Sequence, residues 1–222
     1  MIAIDGLRFS YPEFRLEVPA LSVAKGERLA IVGPSGSGKT TLLNLVAGLS
    51  VPEAGRVHVG DTEVSALGDR ARRTFRARNI GFVFQNFALM DYLTSRENIL
   101  YPFRVGAGLA LDRAARDRAQ SLADRCGIGM KLDRRPGALS QGEQQRVAIC
   151  RALVTRPGLI LADEATGNLD PATKTLILDL LFDRAAEEGA TVVAVTHDHE
   201  LLPRFDRVVD FAQFRAAQGA GA

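Results

Sequence analysis

Apolar and polar residues alternate along the start of the chain, in IAIDGLRF (2–9) and again in FRLEVPALSVAKGERLAIV (14–32), with turn residues between the short runs. A period of two predicts antiparallel strands over residues 1–30, leading into a strand that ends at Val32. GRVHVGDTEV (55–64) reads as one more hairpin strand. The pattern changes to a helical period over 41–48, and IGFVFQ (80–85) is again strand-like. A polar helix rich in Arg, Asp and Ala is predicted over 111–126, and a further helix over 142–154. Then follow the apolar run LILADE (159–164), a helix over 172–187 and the apolar run TVVAVTH (191–197). Continuous apolar strands alternating with helices predict an α/β fold whose mainly parallel sheet is covered on both faces.

Composition narrows this little. The 222 residues are 46% hydrophobic and 24% charged, an ordinary globular balance that suits one large domain. Lys and Arg number 28 against 26 Asp and Glu, so broad nucleic-acid binding has no electrostatic basis. The arginine-rich stretch DRARRTFRAR (69–78) reads as a solvated helix beside the strand 80–85. Cys126 and Cys150 lack metal-ligand spacing and are expected as reduced, partly buried thiols. His58 and His199 are expected at the surface. No apolar run approaches the roughly 18–20 residues that cross a bilayer, and the N-terminus carries no cleavable signal pattern. An intracellular protein is expected, one that needs a partner to work at a membrane. The tail AAQGAGA (216–222) is expected to be flexible.

Chemistry enters between the first strand and helix of the α/β pattern. In IVGPSGSGKTT (31–41), Gly33, Gly38, Lys39 and Thr40 fit G-x-x-x-x-G-K-[ST]. In that pattern the glycines let the backbone wrap phosphate oxygens, while N–H groups and a helix N-terminus point at the anion. The cradle is expected to comprise Gly33, Pro34, Ser35, Gly36, Ser37, Gly38, Lys39, Thr40 and Thr41. Lys39 reaches the β- and γ-phosphates of a nucleotide as a point charge, and the Thr40 hydroxyl ligates Mg²⁺. Hydrolysis also needs a second metal contact and a group that aims water. LILADE supplies both types at the end of a buried strand, Asp163 for Mg²⁺ and Glu164 for the water. The Asp-Glu pair as a simple cap of the next helix is the alternative.

LSQGEQQR (139–146), followed by VAICRAL, reads as a loop turning into a helix, with Ser140 as the capping residue. Taken with the phosphate loop and the acid pair, it makes the chain resemble the ATP-binding cassette (ABC) ATPases, the nucleotide-binding subunits of ABC transporters. The resemblance runs from about Ile2 to Val209, with the motifs in the family's order. IGFVFQNFALM (80–90) and TGNLD (166–170) look most like the branch that serves lipoprotein release, macrolide-type export and cell division. An importer ATPase for small solutes and a soluble cassette acting on nucleic acid or ribosomes are the alternatives.

The resemblance implies roles residue by residue. Tyr11 in FSYP matches the aromatic that stacks on adenine, although a strand aromatic packed in the small sheet fits the same pattern. Gln85 matches the glutamine that contacts Mg²⁺ or water and links nucleotide to the membrane partner. Asp170 in GNLD matches a residue that reaches across a dimer, and His197 in VTHD matches the histidine that contacts the γ-phosphate. Ser140, Gln141, Gly142 and Glu143 would face the ATP of a second copy, packed head to tail. Gln141 stands where the commonest family form has glycine; it keeps the N–H but would be strained at a positive φ. The layout implied is one ABC ATPase domain over 1–222. Its nucleotide-binding core and antiparallel β subdomain occupy 1–85 and about 155–215, and a helical subdomain occupies about 86–154. The partners implied are that second copy and an integral membrane permease, at the cytoplasmic face of the cell membrane. The segment 86–103 would line the permease groove; its apolar residues Phe87, Leu89, Met90 and Tyr92 fit either that groove or packed core.

Overall fold

The structure, a computed structural model, describes residues 1–12, 14–106, 108–167, 169 and 171–214. Two sheets organise it. Strands β1 (Ile2–Tyr11), β2 (Phe14–Val23), β4 (Ala54–Val59) and β5 (Thr62–Glu63) form an antiparallel sheet in the order β2-β1-β4-β5. Strands β3 (Arg28–Val32), β6 (Ile80–Val83), β7 (Leu159–Asp163), β8 (Thr191–Val195) and β9 (Arg207–Asp210) form a parallel sheet in the order β6-β7-β8-β3-β9. The helices are α1 (Lys39–Val46), α2 (Asp69–Asn79), α3 (Ser95–Val105), α4 (Arg113–Arg125), α5 (Gln141–Leu153) and α6 (Pro171–Glu187).

The unbroken apolar runs of β7 and β8 have a direct cause. Ile160, Ala162, Val192 and Ala194 face a core shared with α3, α4, α5 and α6. Their neighbours Leu159, Leu161, Val193 and Val195 face a second core, shared with α1 and the antiparallel sheet. Successive strand residues point to opposite faces, so a sheet covered on both sides needs apolar residues at every position.

Side-chain caps set three helix starts. Thr94 accepts from the Glu97 N–H while Glu97 accepts from the Thr94 N–H, and Ser140 and Glu143 repeat that reciprocal pair at the head of α5. Asp112 accepts from the Ala115 N–H to start α4. Each cap satisfies donors that the first helical turn leaves open.

Several expectations shift in detail. The hairpin strand expected over 55–64 is two strands separated by a turn at Gly60 and Asp61, with a 3₁₀ turn from Val64. Helix α3 is not read from the periodicity but lies inside the helical subdomain implied over about 86–154, and strand β9 lies where no strand was expected. The LILADE strand ends at Asp163, because Glu164 takes a left-handed backbone conformation. Cys126 and Cys150 are fully buried rather than partly so. Helix α2 has no fully buried residue, but it is less solvated than expected, since Phe75 packs partly against the core. The tail 216–222 lies outside the described residues. Among the described residues no helix is long and apolar enough to cross a membrane.

Candidate active site

The strands of the parallel sheet end at one edge, where open α/β sheets hold ligands. From β3 the chain turns through Gly33, Gly36 and Gly38, whose φ values of 150°, 74° and 101° place them on the left-handed side. At Gly38 crowding adds to conformation, since a Cβ there would lie 2.6 Å from Cζ of Phe14. Lys39 is buried, and its Nζ donates to the carbonyls of Gly33 and Pro34, each at 2.8 Å. The ammonium group therefore sits within the curve of the loop. Ser37 is also buried, and its Oγ has no hydrogen-bond partner. No side chain caps α1. A desolvated cation, an orphan hydroxyl and an uncapped helix N-terminus make a site for anionic oxygens.

Parallel pairing brings the acids beside this loop. Asp163 lies opposite Val195 in the β7–β8 register, two residues before His197. The Thr40 hydroxyl donates to Asp163 Oδ1 at 3.2 Å. Burial raises the Asp163 pKa, and the Glu164 charge adds to that rise, while the Thr40 hydrogen bond and Lys39 oppose it. Glu164, at φ 46°, is fixed by its N–H to the Val195 carbonyl and by its carbonyl accepting from the Gly167 N–H, both at 3.0 Å. Its Oε1 lies 3.4 Å from Nδ1 of His197. The His197 loop is held in turn: the Thr196 N–H donates to the Ile31 carbonyl, and Lys174 pairs with Asp198 at 2.8 Å. Loop, acid pair and histidine thus share one edge of the sheet.

The other expected residues lie around this centre. Gln85 is exposed, two positions beyond the end of β6. Tyr11 is 55% exposed and meets Phe9 edge-on at 4.8 Å, with Phe14 tilted 6.3 Å away. The contact between Phe14 and Gly38 sets these rings beside the phosphate loop. Phe14 was not among the expected site residues; its pairing with Tyr11 across the hairpin was the available signal.

Ser140, Gln141, Gly142 and Glu143 make their contacts elsewhere, with Glu143 3.4 Å from Lys131 and Gly142 against Thr173. The Ser140 backbone hydrogen bond, ahead of the other effects, holds the Glu143 carboxyl below its usual range. Gln141 is the first residue of α5 and is not at positive φ, so the strain conceivable there is absent. Asp170 lies outside the described residues. His58 is partly exposed, 3.6 Å from Glu63, and His199 is exposed.

A groove of about 430 Å³ is lined by Phe82, Phe84, Met90, Tyr101, Arg76 and Arg151, among others. The four apolar candidates of 86–103 divide. Phe87 is buried, Leu89 packs on the helical core, Met90 lines the groove and Tyr92 is exposed.

Residues 16–167 match the family described as ABC transporter. The chain belongs to that family. Among ABC proteins it is 45% identical over 215 residues to the lipoprotein-releasing system ATP-binding protein LolD of Cereibacter sphaeroides, covering 94% of this chain and 95% of LolD. It is 47% identical over 193 residues to the ABC transporter ATP-binding protein YvcR of Bacillus subtilis, covering 85% of this chain and 72% of YvcR. The dimeric, post-hydrolysis structure of the ATP-binding cassette MJ0796 with ADP and Pi superposes with a TM-score of 0.83 at 34% identity. That superposition covers 95% of this chain and 94% of the cassette. This ABC protein is thus an α/β cassette of the P-loop type and the ATP-hydrolysing subunit of a transporter.

Proposed function

We propose that this ABC ATPase drives a membrane permease of the lipoprotein-release or export type, closing head to tail with a second copy over two ATP molecules. One observation carries the reading. Among the described residues the Ser140–Glu143 segment makes its contacts with Lys131 and Thr173 rather than with Lys39, Asp163, Glu164 or His197 of its own chain, which supports a site completed by a second copy. The similarity to LolD over nearly the whole chain supports the branch. The layout within 1–222 is a nucleotide-binding core (1–85 and about 155–215) with a helical part over about 86–154.

In this reading the phosphate loop binds the β- and γ-phosphates, with Lys39 moving from two carbonyls to phosphate oxygens. The Ser37 hydroxyl gains a partner. Tyr11 presents its ring face to the base. The Thr40 hydroxyl and the Asp163 carboxylate suit a hard cation, as does the cost of leaving Asp163 ionised and uncompensated. Among the described residues no cluster of three or more His, Cys, Asp or Glu could hold a metal alone; Thr40 and Asp163 would hold Mg²⁺ together with the nucleotide. When bound, Mg²⁺ neutralises charge on the β- and γ-phosphates. Glu164 accepts hydrogen bonding from the attacking water, and His197, 3.4 Å away, holds that carboxylate and meets the γ-phosphate. Gln85 approaches the metal or water from the end of β6, and Asp170 serves the contact between copies.

The groove beside β6 receives a short cytoplasmic helix of the permease, which places the protein peripherally on the cytoplasmic face of the membrane. Co-expression with candidate permease subunits tests this. Detergent extraction should retain the complex, and in vesicles its ATPase should release a lipid-modified protein. Recovery instead with ribosomes or nucleic acid, and no permease, would refute it.

A further inference from the structure

The loop that carries Gln85 contains two successive strained residues. Phe87 and Ala88 have φ of 61° and 47°, and neither is glycine. A Cβ in this region crowds the following carbonyl, so such a pair persists only where its surroundings hold it. The Phe87 N–H donates to the Phe84 carbonyl at 3.0 Å and the Ala88 N–H to that of Asn86 at 2.6 Å, which closes the turn but leaves the next two carbonyls free.

One side chain takes both. Arg151 Nη1 donates to the Ala88 carbonyl at 2.5 Å and Nη2 to the Phe87 carbonyl at 2.6 Å. A planar guanidinium fork spans adjacent carbonyls in a way that an ammonium group cannot. Arg151 forms no ion pair with a carboxylate among the described residues, and burial lowers its pKa to about 10. A partly buried arginine placed on carbonyls alone gives up hydration, and the turn is what it holds in return. Farther along the loop, Asn98 of α3 is fully buried, and it accepts from the Met90 N–H and donates to the Met90 carbonyl. The loop is therefore fixed to β6 at one end, to α3 at the other and to α5 in the middle. The fixing helix, α5, begins at the Ser140–Glu143 segment, and both Arg151 and Ala88 line the groove.

We propose that Arg151 is a positioning residue for the ATPase: it clamps the Phe87–Ala88 turn and so sets Gln85 against the nucleotide site. Motion of α5, or a helix seated in the groove, then reaches Gln85 through this clamp. The inference rests on the reading of Gln85 as a nucleotide-side residue.

The test uses the full chain and measures ATPase rate, nucleotide affinity and thermal unfolding. Arg151→Lys keeps the charge but loses the fork, and should lower kcat about tenfold with ATP affinity within about twofold. Ala88→Gly removes the conformational penalty at the turn and supplies the background for rescue. Combined with Arg151→Lys, it should bring kcat back to within about threefold of wild type, which a role in anchoring α5 alone would not produce. Ala88→Val strains the same turn with Arg151 intact and should lower kcat in the same way, so the proposal remains testable if Arg151→Lys folds poorly. Wild-type rates for Arg151→Lys, or no recovery in the double variant, would overturn the clamp. Gln85→Ala separates the two layers: full activity there removes the Gln85 reading and this proposal with it, whereas an inactive Gln85→Ala beside an unrescued Arg151→Lys removes the clamp alone.

Discussion

The Thr40 hydroxyl donates to the Asp163 carboxylate at 3.2 Å, joining the first turn of α1 to the end of β7 across the intervening strand β8. This contact connects the candidate phosphate loop with the acid proposed to meet the cation. It also leaves Asp163 with one neutral hydrogen bond against the cost of burial, and its pKa is raised accordingly.

A raised carboxyl pKa means that the folded protein holds this proton more tightly than the unfolded chain. Stability is therefore lost as pH rises from the ordinary aspartate range through the folded value. Asp163→Asn should raise the unfolding midpoint of the nucleotide-free protein at neutral pH by about 1–3 °C. That gain should vanish in acid, where Asp163 itself is protonated. Adding Mg²⁺ and ATP should stabilise the wild type more than the variant. Differential scanning calorimetry across pH reads all three outcomes, and a variant less stable than wild type at neutral pH without nucleotide would contradict them.

Lys39→Ala removes the ammonium group bonded to the Gly33 and Pro34 carbonyls. ATP affinity should fall about tenfold or more and turnover should be lost. Isothermal titration with ATP, alongside phosphate release, checks both.

His197→Ala removes the partner 3.4 Å from Glu164 Oε1. Its effect should fall on kcat, by about a hundredfold, with ADP affinity within about twofold. Equal losses in both would assign His197 to ground-state binding.

Ser140→Ala breaks a reciprocal cap and should cost about 1 kcal/mol, or roughly 2–4 °C in midpoint. Gln141→Gly should bring no gain in ATP-dependent self-association, because Gln141 already has ordinary helical geometry. Tighter association in that variant, measured by sedimentation, would mean that the Gln141 side chain obstructs the contact.

These residues differ in how plainly the sequence announces them. The phosphate loop is legible because its glycines have a conformational duty at fixed spacing, and β7 and β8 are legible because both faces of each strand are buried. Helix α3 is hidden by Pro102 in its interior, although Thr94 and Glu97 carry the capping spacing that marks its start. Strand β9 is hidden because only Val209 of its four residues is buried. The left-handed turn at Glu164 leaves no mark in residue type, since glutamate has no preference for it. The contact between Phe14 and Gly38 and the Arg151 clamp join residues far apart in the chain, where local pattern carries no information.

Closure of a composite site by ATP between two copies, as proposed above, is probed most directly by Glu164→Gln. The amide keeps the size and hydrogen-bonding reach of Glu164 but cannot accept the water's proton, and it removes negative charge near the phosphates. Size-exclusion chromatography with light scattering, without added Mg²⁺ to limit residual turnover, should show ATP converting the purified variant from monomer to dimer while ADP leaves it monomeric. Phosphate release should be lost in the same preparation when Mg²⁺ is restored. An ATP-loaded variant that stays monomeric, or one that hydrolyses ATP at the wild-type rate, would contradict the account.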